Sequence, residues 1–166
     1  MALLDILTIP DPRLKQESLP VEQFDDELRV FIRDLEETMR ASPGGVGIAA
    51  PQVARFQRIA ILDLSGKPKI KHHGRLVLIN PEITDWEGMV KGREGCMSVP
   101  DYTGNVIRAE KIKFTAFDEF GNQRQYETEG FEARAVQHEV DHLDGILFID
   151  RLVSRRTDLF QRKNYK

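Results

Sequence analysis

Apolar residues recur at steps of three and four at Phe24, Leu28, Phe31, Leu35 and Met39, with charged residues on the opposite side. That spacing predicts an amphipathic helix over Val21–Arg40, preceded by Pro20 and stopped by Ser42-Pro43-Gly44-Gly45. The middle of the chain reads as β. Arg58–Leu64 and Leu76–Asn80 are short apolar runs closed by turn residues. Over Val106–Asp118, Ile112, Phe114 and Ala116 alternate with Lys111, Lys113 and Thr115, the period of a half-buried strand. Asp118–Asn122 reads as a hairpin loop into a strand over Gln123–Thr128. Helical spacing returns over Phe131–Leu143, and a short terminal helix is expected over Ser154–Lys163. Strands grouped between helices, without regular βαβ alternation, indicate an α+β fold.

Composition narrows the class. The chain has 166 residues, 40% hydrophobic and 31% charged, with no internal repeat or Gly/Ser linker, so one domain over 1–166 is expected. The net charge is −3, too weak a field to gather nucleic acid or acidic lipid over the whole surface. A single cysteine excludes an intrachain disulfide. No apolar run reaches the roughly 18 residues that would span a bilayer. The first residues, Met1-Ala2-Leu3-Leu4-Asp5, do not read as a signal peptide. A cytoplasmic protein without membrane partners is the expectation, with an organelle as the alternative compartment.

Chemistry enters at Gln137-His138-Glu139-Val140-Asp141-His142, which contains His-Glu-x-x-His. On a helix, residues four apart share a face, so both imidazoles reach one ion while Glu139 reaches a water bound to it. A third ligand is needed. The 24 residues after His142 contain no His, Glu or Cys, and the extended protease pattern with a later His is absent. Upstream, His72 and His73 lie in the polar stretch Lys69–Arg75, whereas Cys96 follows Gly95 and precedes a stiffening Pro100. Cys96 is therefore chosen as the third ligand, and a thiolate suits Fe²⁺ or Zn²⁺ better than Mg²⁺ or Ca²⁺. A further patch, Gly44-Gly45-Val46-Gly47-Ile48-Ala49-Ala50-Pro51-Gln52, lacks the Lys-Ser/Thr ending of a phosphate loop. Its small residues would let backbone lie against an extended ligand while the Gln52 amide donates a hydrogen bond.

Together, Gly45–Gln52, Glu94-Gly95-Cys96-Met97-Ser98 and His138–His142 resemble, in order, the three motifs of the peptide deformylase family. The resemblance runs from about Leu7 to Leu152 and includes Leu78-Ile79-Asn80-Pro81 and Arg108-Ala109-Glu110-Lys111. It implies antiparallel sheets around a central helix bearing the two histidines. The implied activity is removal of the formyl group from formyl-methionine at the start of new bacterial or organellar chains, releasing formate. Cys96, His138 and His142 would hold one divalent ion, Fe²⁺ in the cell, with Zn²⁺, Ni²⁺ or Co²⁺ after purification. Glu139 would move the water proton to the departing amine. Gln52 and the backbone N–H of Met97 would stabilise the oxyanion, and Gly45, Val46 and Gly47 would pair with the substrate backbone as an added strand.

Ile48 and Met97 stand where the family usually has Leu. Glu132 takes a position expected to be apolar and reads as a solvated helix start, where a carboxylate is favourable. Gly92-Arg93 is an unusual lead into the cysteine motif. The tail Arg151–Lys166 carries six basic residues and one acid, and by resemblance would contact the ribosome. Two rival readings share these residues: a zinc endopeptidase, which would cleave internally, and a non-catalytic peptide- or ribosome-binding descendant, which would need neither Glu139 nor Gln52.

Overall fold

The computed structural model describes residues 3–162. Among the described residues the fold is α+β, with antiparallel sheets and two α-helices. One sheet contains β1 (Gly47–Ala49), β2 (Ile59–Asp63), β3 (Arg75–Glu87), β6 (Lys111–Phe117) and β7 (Gln123–Glu129), in spatial order β1-β2-β3-β6-β7. The other contains β4 (Val90–Cys96), β5 (Val99–Arg108) and β8 (Leu159–Gln161), in order β4-β5-β8. The helices are α1 (Asp26–Ala41) and α2 (Gly130–Leu143).

The unbroken apolar run of β2 follows from burial on both faces. Ile59 and Ile61 pack with Leu28, Ile32, Leu35 and Met39 of α1. Ala60 and Leu62 point the other way, into the cluster holding Ala133, Val136 and Leu143 of α2. Adjacent residues of a strand face opposite ways, so a strand between two helices is apolar at every position. A third cluster joins Cys96, Val99 and Val106 of the smaller sheet to Leu147 and Phe148 beyond α2. Helix α2 therefore carries His138 and His142 between the two sheets.

Several boundaries differ from the sequence pattern. Helix α1 begins at Asp26, not Val21. Asp25 caps it by accepting from Leu28 N at 2.9 Å. Val21 stays outside the helix, because the Asn80 side chain satisfies both its N–H and its C=O, at 2.8 and 2.9 Å. Strand β3 runs past Asn80-Pro81 to Glu87, with a positive φ at Asn80 and register shifts that tolerate the proline. Val106–Asp118 is two strands in different sheets. The crossing is held by Gln137 of α2, which pairs with both backbone groups of Ala109 at 3.0 Å.

The terminal helix expected over Ser154–Lys163 does not form. The Asp158 carboxylate accepts from Ser154 N at 3.0 Å and Asn105 Nδ2 at 3.2 Å, closing a turn that β8 leaves as a strand against Tyr102–Gly104. Residues 163–166, the end of that expected helix, lie outside the described residues. Glu132 is not solvated either. It is fully buried, accepting from His73 N at 2.7 Å and Thr128 Oγ1 at 2.8 Å and facing His73 Nδ1 at 2.5 Å. His73 thus belongs to this contact and not to the metal group.

Candidate metal and substrate site

Four elements meet at one cleft of about 450 Å³. Cys96 is the last residue of β4, and Met97-Ser98 form the tight turn into β5. His138, Glu139 and His142 lie on α2, and Gln52 on a 3₁₀ turn over Ala50–Val53. Gly47 opens β1, the edge strand of the larger sheet, with Gly45 and Val46 before it. All of these except Ser98 and His142 line the cleft; those two sit behind it, buried.

The donor atoms of Cys96, His138 and His142 lie within 4.8 Å of one another, with Cys96 Sγ 3.3 Å from His142 Nε2. A thiolate and two imidazoles so close, with ligand-grade chemistry and a cleft beside them, fit one divalent ion with a position left open. Burial by itself would raise the Cys96 thiol. The His142 and His138 imidazoles beside it outweigh that and hold it well below its ordinary value. His138 Nδ1 contacts Glu94 Oε1 at 2.9 Å, which leaves Nε2 as its other ring nitrogen for an ion.

Glu94 is itself anchored. Arg108 donates to it from Nε and Nη2, both at 2.9 Å, and Arg134 from Nη1 at 2.7 Å. Arg108 Nη1 continues to Asp141 at 2.6 Å, and Arg151 reaches the same carboxylate at 2.5 Å. Arg134 also binds the carbonyls of Val106 and Val90, at 2.9 and 2.6 Å, tying α2 to the smaller sheet. This passage needs Gly92, since a Cβ there would sit 2.9 Å from Arg134 Cζ.

Gln52 is fixed at both ends of its amide. Its Oε1 accepts from Ala49 N at 2.9 Å, and its Nε2 donates to Ser98 Oγ at 3.0 Å and lies 3.5 Å from Cys96 Sγ. Glu139 Oε1 is buried with no hydrogen-bond partner among the described residues, and burial raises its carboxyl above the ordinary range. Its other oxygen lies against Gly47, where a Cβ would come within 2.5 Å. A buried acid with a spare oxygen beside a group of side chains suited to a metal ion can take up and return a proton.

The polypeptide deformylase profile matches residues 3–158. The chain belongs to the polypeptide deformylase family. It is 47% identical to a peptide deformylase of Alkalilimnicola ehrlichii over 163 residues, 98% of this chain and 89% of that one. A crystal structure of a peptide deformylase from Legionella pneumophila superposes with a TM-score of 0.85 at 41% identity, covering 93% of this chain and 88% of that one. The Synechococcus elongatus peptide deformylase, solved in complex with actinonin, gives 0.85 at 38% identity over 92% and 80%.

Sequence reasoning missed the supporting deformylase residues Arg108, Arg134, Asp141 and Arg151, and assigned Glu94 no role. A carboxylate two residues before the chosen cysteine was a signal. Which arginines neutralise it depends on contacts across 14 and 40 positions.

Proposed function

We propose that this chain is a metal-dependent hydrolase that removes the N-formyl group from formyl-methionine at the start of newly synthesised polypeptides, acting in the cytoplasm. The observation that carries the reading is the convergence of Cys96, His138 and His142 with Glu139 and Gln52 at a cleft beside a sheet edge. Family membership supports the same activity. The three donors would hold the ion, Fe²⁺ in the cell, with Zn²⁺, Ni²⁺ and Co²⁺ also suited to sulfur and imidazole. When bound, such an ion supplies Lewis acidity, polarising a carbonyl and making water easier to deprotonate.

The chain's own residues do the rest. The substrate backbone pairs as an extra strand along Gly45, Val46 and Gly47, which fixes the formamide while tolerating many sequences. Gln52 Nε2 and the Met97 N–H stabilise the negative charge that grows on the formyl oxygen. Glu139 accepts the proton of the attacking water and returns it to the departing amine. Formate and a free α-amino group result.

The test is formate release from a formyl-Met peptide by anaerobically purified, metal-loaded protein. Gln52→Ala should lower the rate by about 10²–10³. Glu139→Ala should keep its metal and lose most turnover. Wild-type hydrolysis by Glu139→Ala, or internal cleavage of an unformylated peptide, would overturn the reading. Of the basic tail, Arg155 and Arg156 are exposed and would carry its phosphate contacts to the ribosome. Arg155→Glu with Arg156→Glu should abolish co-sedimentation with ribosomes, and unchanged binding would refute that role.

A further inference from the structure

Arg93 takes no part in holding an ion or moving a proton, yet it lines the cleft. Its guanidinium lies 3.7 Å from the centre of the Phe160 ring. Its Nε and Nη1 donate to Asn105 Oδ1 at 3.3 Å and Thr103 Oγ1 at 3.4 Å. Residues of β5 and β8 therefore hold a β4 side chain flat, which orients the planar cation before any ligand arrives. Arg93 is nonetheless exposed, and no carboxylate among the described residues pairs with it.

Arg162 reaches the same wall from beyond β8. Its Nη2 lies 3.4 Å from the carbonyl oxygens of Cys96 and Tyr102, and a Cβ at Gly95 would sit 2.7 Å from that nitrogen. The carboxylates lining the cleft are Glu94 and Glu139. Glu94 is neutralised by Arg108 and Arg134, and Glu139 belongs to the reacting centre. Arg93 thus places a positive charge with no carboxylate partner among the described residues on the wall away from the triad, on a chain whose net charge is −3.

We propose that Arg93, with Arg162 beside it, forms a subsite for an acidic side chain in the first few residues after the formylated one. This rests on the deformylase reading above. A formyl group is the end of its chain, so the rest of the substrate can only run downstream, along the walls of the cleft. A carboxylate there meets an oriented guanidinium, and its amide isostere gains much less. Because Arg93 is exposed, the preference is modest and screened by salt.

The experiment uses the metal-loaded enzyme and amide-capped peptides, so that no terminal carboxylate competes. Formyl-Met-Glu-Ala-Ser and formyl-Met-Ala-Glu-Ser are each compared with the peptide carrying Gln in place of Glu. In one of the two pairs, wild-type kcat/KM should favour Glu by about fivefold at low ionic strength, falling toward unity at high salt. Arg93→Glu should reverse the preference and Arg93→Lys should keep part of it. Should Arg93→Glu fail to fold, Arg93→Gln serves by flattening the ratio. Lys113→Gln, an exposed charge on β6, should leave the ratio unchanged. Calorimetric Kd values for the corresponding unformylated peptides should show the same preference without any turnover. Ratios near one in both turnover and binding overturn the subsite, as does a preference that survives Arg93→Glu. Binding preference without hydrolysis of any formyl peptide overturns the deformylase reading and leaves the subsite standing.

Discussion

Replacing Glu94 with Gln removes one charge while keeping the side chain's shape. In the native protein this buried carboxylate faces two nitrogens of Arg108, one of Arg134 and Nδ1 of His138, all within 2.9 Å. After the substitution Asp141 still neutralises Arg108 at 2.6 Å, but Arg134, whose side chain is only 11% exposed, has lost its carboxylate. The new amide N–H₂ must also face a group that donates. Removing one partner of a buried pair costs about 3–5 kcal/mol. Arg134 keeps its bonds to the carbonyls of Val106 and Val90, which points to the lower end, about 3 kcal/mol. With a urea dependence of about 2 kcal/mol per molar, the unfolding midpoint should fall by roughly 1.5 M. Urea titration followed by circular dichroism, on metal-free protein, reads this directly. His138 also loses the charged acceptor that orients it, keeping at best an amide oxygen, so ion affinity measured against a competing chelator should fall about 10–100-fold. A midpoint shift below about 0.5 M would refute the claim that Glu94 neutralises the buried arginines. Unchanged ion affinity would refute its orienting role.

Gly47→Ala should separate catalysis from stability. The added methyl group would come within 2.5 Å of Glu139 Oε2, the movable end of a side chain, so the carboxylate shifts while the fold holds. We expect kcat to fall at least about tenfold with little change in Tm; wild-type kcat would refute the contact. Asp63, which accepts from Ser65 and from Arg40 at 2.9 Å, has its carboxyl lowered from 3.8 to about 2 despite the opposing effect of burial. A depressed folded value means that its stabilisation is complete above pH 3.8 and disappears as the pH falls through about 2. Asp63→Asn should therefore lose roughly 1–2 kcal/mol at neutral pH and lie closer to wild type near pH 2. Parallel stability–pH curves for the two proteins would refute it.

The legible parts of the molecule are those whose signal lies within a few residues. The spacing of Leu28, Leu35 and Met39 marked the face of α1, and the apolar run of β2 marked a strand. His138 and His142 share a helix face wherever that helix sits, so their partnership with one ion needed no tertiary information. Glu139 came with that same spacing and Cys96 from weighing the upstream candidates; the three-motif resemblance gave Gln52 its oxyanion role, and the fold brings all three to one cleft. Less legible were places where a distant side chain replaces a local hydrogen bond. Asn80 holds Val21 out of α1, and Gln137 pins Ala109 where the chain changes sheets. Neither partner can be named from the residues around its target.

The chain by itself thus determined the α+β class, the helix that presents two imidazoles and a carboxylate, and the small-residue edge beside them. These follow from period, capping and residue chemistry, which act over one or two turns. Only the tertiary structure decided that Glu132 is buried under His73 and Thr128 and not solvated at a helix start. It also decided that Glu94 is charged and oriented by Arg108 and Arg134, and that the tail closes as β8 with Phe160 beneath Arg93. A charged side chain finds its stable state from the dielectric and the partners around it, and those are set by residues far away in the chain.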